Sequence, residues 1–398
     1  MASRPLKLHV LGGGLWQVPT IRLARSLGHE VLVTDLYQER PGYALASAHE
    51  VIDITDRERT LEAARRHKID GILCDTTDVG VPTAAYVAEQ LGLPGPGYEV
   101  ALNFTNKGRM RTITRDAGLS PVQFHLATNI SEVNEAAKDL GYPLVVKPVD
   151  SQSSRGVHRV DGPEPLMAGF HDALRFSRSG QVLAEEFLPG TEATVEGFCL
   201  DGRYVTTGVS DKGHFVHRPE VANRLTYPAN FDDATMGRLR SLNESVVRTL
   251  GLRNGVTHAE YMVHEGEVRL VEIAARGGGS LIHSDIVTHL SGIDVPRATI
   301  ELALGIRPNV IATGEPRAAN LAFLEFPPGV VTAIDGAEEA RRLPGVHTLL
   351  LEFALGDAIR PPEDDRSRPG MVVVFGSTRE EVLETTDVVK NLVRVTVR

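Results

Sequence analysis

Cysteine is nearly absent: the 398 residues contain two, Cys74 and Cys199. Both lie in apolar stretches, which points to buried thiols rather than a disulfide or a thiolate metal site. Such usage fits a reducing compartment, so a cytoplasmic location is expected. Aromatic residues make up only 5% of the chain, with one tryptophan, Trp16. No apolar run is long enough to cross a bilayer, and the first residues lack the pattern of a secretory leader, so no membrane partner is expected. Positive charge is in deficit. Forty-two Lys and Arg against 52 Asp and Glu give a net charge of −10, which argues against a nucleic-acid partner. Internal repeats and low-complexity segments are also missing.

What remains is an ordinary globular composition, 42% hydrophobic and 24% charged, on a chain long enough for two to three domains. Through about residue 115 strands alternate with helices. Leu8–Leu11, 30–34, 50–54 and 69–74 read as strands, and 19–27 and 84–91 as helices. That alternation predicts a doubly wound parallel sheet. Gly12-Gly13-Gly14 followed by Asp35 invites a dinucleotide reading. The third glycine of that fingerprint is missing, however, and Gln17 stands in its place.

The middle of the chain carries the chemistry. Glu272 sits among β-formers in Leu270–Gly279, just ahead of Arg276 and three glycines. Glu260 lies in a second β-run, and Glu265-Gly266-Glu267 between them reads as a hairpin turn. The hairpin predicts two carboxylates roughly opposite each other, an arrangement that repels unless a hard cation lies between them. Upstream, the β-run 144–148 ends in Lys147, and the small-residue loop 151–156 follows at once. A lysine, backbone N–H groups and serine hydroxyls suit phosphate oxygens. The strand from Val182 then brings Glu185, Glu186, Phe187, Leu188 and Glu192. Backbone there can read an adenine edge, and a carboxylate can take ribose hydroxyls.

In order and spacing, Lys107, Lys147, loop 151–156, Glu185 to Leu188, Glu192, Glu260, Glu272 and Arg276 resemble the ATP-grasp superfamily, over roughly the first three quarters of the chain. The nearest likeness is to carboxylate–amine ligases, including bacterial dipeptide or L-amino-acid ligases and carbamoyl-phosphate-synthase-like enzymes. The resemblance implies an ATP-grasp fold, mixed α/β and α+β. An N-terminal domain (1–115) would precede the ATP-grasp domain (116–310), whose ATP-clamping part spans about 120–190, and a C-terminal β-rich, lid-like subdomain (311–398). It implies ATP and Mg²⁺, with Mn²⁺ as a substitute, and small carboxylate and amine substrates joined through an acyl phosphate. A homodimer is compatible with it.

Roles follow from the same likeness. Lys107, Lys147, Ser151, Ser153, Ser154 and Gly156 would hold phosphates, and Glu185, Glu186, Phe187, Leu188 and Glu192 the nucleoside. Glu260 and Glu272 would bind metal, with Arg276 and Glu272 catalytic. Two departures stand out: Ala274 replaces an asparagine that often adds a metal ligand, and the phosphate loop is poor in glycine. Val209–Phe231 reads as a long irregular loop walling the substrate site, with His214, Arg218 and Tyr227 as contacts. His258 and Gly278 beside the glutamates join them. Farther on, 131–140, 163–176, 280–292, 295–305 and 379–393 read as helices, and after Pro316 the chain turns β-rich. Formate, carbamate or a purine precursor as acceptor is the competing reading, and a nucleotide-binding protein without catalysis is a third.

Overall fold

The computed structural model describes residues 4–315 and 317–398; Pro316 lies outside them. Strands β1 (Lys7–Leu11), β2 (Glu30–Asp35), β3 (Ala48–Val51) and β4 (Gly71–Leu73) form a parallel sheet in the order β3-β2-β1-β4. Alternation places its side chains on two faces. Leu8, Val10, Val31 and Val33 pack with helix α1 (Val18–Ser26). Leu11 and Leu32 pack with α2 (Arg57–His67) and α3 (Val81–Leu91). Both faces are covered, as the apolar runs predict. The third strand ends earlier than expected, because Asp53 turns back to accept from Thr55 N at 2.9 Å. The glycine turn is filled: a Cβ on Gly12 would stand 3.2 Å from Gln17 Cδ. Gln17 Nε2 donates instead to Thr76 Oγ1 at 2.5 Å, so a side chain holds the space a dinucleotide would need.

Helices α4 (Tyr98–Thr105) and α5 (Lys107–Asp116) lead into a second sheet. Its strands are β5 (Phe124–Ala127), β6 (Leu144–Pro148), β7 (His158–Val160) and β8 (Val182–Glu186), in the order β5-β8-β6-β7. Helices α6 (Ile130–Leu140) and α7 (Pro163–Phe176) cover one face around Leu144, Val146 and Phe170. Each such fully buried side chain contributes roughly 1.5–3 kcal/mol.

The large sheet begins with β9 (Thr191–Leu200), β10 (Arg203–Phe215) and β11 (Arg218–Tyr227). After α8 (Asp233–Leu250) come β12 (Gly255–His264) and β13 (Glu267–Ala274). A π-helical turn (Ile282–Ile286), α9 (Val287–Ser291) and α10 (Val295–Ala303) follow. The C-terminal part adds β14 (Ala318–Phe323), β15 (Gly329–Asp335), α11 (Ala337–Arg341), β16 (Val346–Leu351), β17 (Ala358–Ile359), β18 (Gly370–Gly376), α12 (Arg379–Leu392) and β19 (Arg394–Val397). Eight strands run β13-β12-β9-β10-β11-β14-β18-β16, and β17-β15-β19 form a small separate sheet. The large sheet thus crosses the expected boundary near residue 310.

Two expectations are corrected. Residues 209–231 are not an irregular loop: most of them form the β10–β11 hairpin, which pairs Asp211 with Thr226 and Gly213 with Arg224 and has bulges at His214. Nor is 280–292 one helix. Ser280 (φ 51°) and Leu281 (φ 67°) are left-handed, and the helix starts only after them.

Candidate active site

The β12–β13 hairpin places Glu260 directly across from Glu272. Its turn, Glu265 and Gly266, has φ of 50° and 79°, both left-handed, as a tight two-residue hairpin requires. The register carries a bulge: Glu260 faces Glu272 and Tyr261 faces Leu270, so Val271 is an extra residue. Both glutamates line a cavity of about 720 Å³ bounded by all three principal sheets.

Each glutamate has a lysine. Lys107 Nζ lies 2.9 Å from Glu272 Oε2, and Lys212 Nζ bridges Glu260 and Glu192, 2.6 Å from Glu192 Oε1. Burial opposes charge on Lys107, but Glu272 overcomes it and raises the ammonium pKa. Glu260 is likewise buried, yet Lys212 and His258 hold its carboxyl well below the usual range. His258 Nδ1 contacts Glu196 at 2.6 Å. Burial pulls the imidazole down, but Glu196 and Glu260 outweigh it and hold it at about 9. His214 Nε2 meets Glu192 at 2.8 Å.

Asn106 caps α5 by accepting from Arg109 N at 3.0 Å, which fixes Lys107 in the first turn; Lys107 Nζ also donates to Ser151 O at 2.8 Å. On β6, Lys147 meets Glu185 Oε1 at 2.5 Å, while Arg111 holds the other oxygen at 2.7 Å. Burial raises the Glu185 carboxyl, but the two cations bring it down to about 2. Burial lowers Lys147. The loop after β6 is anchored by Asp150, which accepts from Ser179 N at 2.8 Å. Ser153 and Ser154 take φ of 62° and 57°, positions that favour glycine. Ser154 Oγ donates to Glu220 O at 3.0 Å, and Gln152 accepts from Asp78 N at 2.8 Å. The loop is therefore docked on the hairpin and on the first sheet's domain. Phe187 lies under Arg159, 4.2 Å from its ring centre.

The cavity gathers Lys107, Lys147, Ser151, Ser153, Ser154, Glu185, Glu186, Phe187, Leu188, Glu192, His214, His258, Glu260, Glu272 and Arg276. Four residues expected there lie elsewhere. Tyr227 has no exposure: it shares a sheet face with the cavity-lining Leu225 but lies in the apolar core cluster that includes Ile286 and Val287. Arg218, next to the hairpin tip, is exposed to solvent. Gly278 is buried against Ile282, where a Cβ would come within 2.8 Å. Gly156 supports the phosphate loop from behind, as its Cβ would meet Phe176 at 2.9 Å.

Other residues of the site were not read from the sequence. Asp78 is one: it takes the expected Arg276 in a two-pronged pair, 2.8 and 2.9 Å, which joins the first domain to the large sheet. Lys212, Glu196 and Arg111 complete the charge pairing. Asp365 and Arg368, from the segment before β18, also line the cavity, with Arg368 3.6 Å above the Phe323 ring. The one available signal was Asp75-Thr76-Thr77-Asp78, a polar run at the carboxyl end of a parallel strand, where such sheets bind ligands.

Comparison with known proteins agrees with this geometry. Models of the ATP-grasp domain match residues 140–285, of the ATP-grasp N-terminal domain 21–95, and of the L-amino acid ligase C-terminal domain 2 residues 322–398. A formate-dependent phosphoribosylglycinamide formyltransferase of Synechococcus sp. (strain WH7803) is 32% identical over 287 residues, 69% of this chain and 71% of the relative. The L-arginine-specific L-amino acid ligase of Bacillus subtilis is 23% identical over 78% of this chain and 76% of its own length. The crystal structure of an L-amino acid ligase from Bacillus licheniformis superposes with a TM-score of 0.82 at 23% identity, covering 100% of both chains. The chain belongs to the ATP-grasp superfamily and, within it, to the carboxylate–amine ligases, ADP-forming enzymes that make carbon–nitrogen bonds.

Proposed function

We propose that this enzyme joins a small, amino-acid-like carboxylate to an amine through an acyl phosphate. The observation that carries the reading is the facing pair Glu260 and Glu272, each matched to a lysine, on the wall of a cavity of about 720 Å³. The carboxylate oxygen attacks the γ-phosphorus of ATP, and ADP leaves. The amine then attacks the acyl carbon, a tetrahedral intermediate collapses, and phosphate leaves as the amine loses its proton. Positioning and charge neutralisation do most of the work in such a phosphoryl transfer.

The donor set fits Mg²⁺ that arrives with the nucleotide. Two hard carboxylates face each other, and Ala274 adds no third donor. No group of three Asp, Glu, His or Cys side chains able to hold a metal occurs among the described residues. Magnesium bound by one or two carboxylates completes its shell with phosphate oxygens and water. Bound there, it would neutralise charge between the terminal phosphates. Lys107, Lys147 and Lys212 have the charge and donors to meet phosphate oxygens. Glu185 to Leu188 would line the nucleoside, and the docked serine loop would shield the acyl phosphate from water. Among the described residues no helix is long and apolar enough to cross a bilayer.

The 32% identical formyltransferase favours a second reading, in which formate is the acid. The C-terminal match to L-amino acid ligases favours the first. ADP release, measured with pools of acids and amines, separates them. Release that requires both an amino acid and an amine supports ligation; release that requires formate overturns it in favour of the second.

A further inference from the structure

Arg111 does not line the cavity, yet it is among the largest fully buried side chains, with no exposure at all. Its guanidinium is shared between two sheets. On one side Nε donates to Glu185 Oε2 at 2.7 Å, on β8. On the other, Nη1 donates to Leu270 O at 2.5 Å and Nη2 to Val271 O at 3.0 Å, on β13. Among the described residues no strand pairs with the outer side of β13, which is an edge of the large sheet. Ser120 Oγ accepts from Leu270 N at 3.0 Å, and Arg111 takes the two carbonyls. A guanidinium and a hydroxyl thus replace the missing strand.

The place where Arg111 binds matters. Val271 is the extra residue of the bulge, and Glu272 is the next residue. Bulges re-aim the side chains beside them, and a buried carbonyl without a donor is costly. The bulge that aims Glu272 therefore rests on Arg111. At the other end Arg111 holds Glu185, which holds Lys147. One turn earlier on the same face of α5, Lys107 makes a parallel link between Glu272 and Ser151 O.

We propose that Arg111 is a positioning residue that locks the sheet bearing Lys147 and Glu185 to the strand bearing Glu272, and so couples nucleotide binding to metal binding. This rests on the nucleotide and metal reading of the cavity. A simple ion pair would need only Glu185. The two carbonyl bonds use the planar fork of arginine, which the single ammonium of lysine does not reproduce.

The test measures ADP affinity by calorimetry, with EDTA and with MgCl₂, for wild type, Arg111→Lys and Ser120→Ala. In wild type, Mg²⁺ is expected to tighten ADP roughly tenfold or more, within the usual range of site coupling. Arg111→Lys keeps a cation for Glu185. It should bind ADP in EDTA within about threefold of wild type, while the Mg²⁺ effect falls below about threefold. Ser120→Ala loosens the same edge and should reduce the Mg²⁺ effect less; it decides the matter alone should Arg111→Lys not fold. A purely structural role would lower the melting temperature and both affinities together, leaving their ratio intact, and would overturn the inference. An unchanged ratio in the folded variants does the same. Absence of any Mg²⁺ effect in wild type would instead overturn the metal–nucleotide reading, and the inference with it.

Discussion

Glu272 is part-exposed and sits on the cavity wall, with Lys107 as its partner rather than the core. Glu272→Gln should therefore leave the fold intact while turnover falls roughly 100-fold or more, with most of the Mg²⁺ dependence lost. Turnover against Mg²⁺ concentration, with a melting curve as control, checks this; near-normal turnover would remove Glu272 from the metal site. Lys147 is different because it shares Glu185 with Arg111. In Lys147→Ala the buried Glu185 keeps one cation, so the protein should stay folded. ATP affinity should weaken by about 1.5–3 kcal/mol, the worth of one charged hydrogen bond, and unchanged affinity by calorimetry would exclude Lys147 as a phosphate ligand. These residues were legible because a charge that ends or interrupts an apolar β-run has few structural reasons to be there. Lys212, Arg111 and Arg276 show why others were not fully read: their partners lie 48, 74 and 198 residues away in sequence. No local pattern carries such pairings.

Among elements, the hairpin around the Glu265–Gly266 turn was readable from its turn residues, whereas the β10–β11 hairpin was not. Period-two alternation marks a strand only when one face is apolar. Along β10 both faces are covered and both carry charge: Asp211 on one is matched by Arg379 at 2.6 Å, and Lys212 on the other by Glu192 and Glu260. Buried charge hid the alternation, and the same concealment made Tyr227 look like a loop residue. The readable turn yields a prediction. Gly266 has φ of 79°, and a Cβ there would stand 2.9 Å from Arg238 Nη2. Gly266→Val should cost about 1–2 kcal/mol, the penalty of a left-handed side chain. Urea unfolding measures it, and an unaltered midpoint would mean the turn tolerates a different geometry.

The whole molecule holds its first sheet on both faces, and a histidine is among the polar groups caught inside. His9 has no exposure; Nε2 lies 3.0 Å from Thr34 Oγ1, and Nδ1 has no partner among the described residues. Burial, with a smaller contribution from His67, lowers its pKa to about 3. The unfolded chain regains the ordinary value near 6.5, so it binds the proton that the folded chain refuses. Stability from this group is complete above the unfolded value and is lost as pH falls from about 6.5 toward 3, by up to about 1.4 kcal/mol per pH unit. Urea midpoints at several pH values should fall more steeply for wild type than for His9→Gln, and parallel slopes would place His9 in contact with water. At this scale the sequence was read most fully: the doubly wound sheet and the β-rich ending follow from the patterning of the chain, and the mixed architecture from the family resemblance. The sheet spanning β9 to β18 did not, because strand partners far apart along the chain leave no mark on either segment.

The bulge at Val271 has one more consequence, which is a matter of parity. Counting back evenly from the turn, Val271 would fall opposite Glu260, and Glu272 would point through the sheet into the core on the other side, beside Leu270, Ala259 and Tyr261. A single odd residue moves it to the cavity side. Composition, turn type and hydrophobic pattern are the same in both arrangements; only the registration differs. Whether this hairpin is a reaction centre or a plain piece of scaffold is thus decided by a count of one.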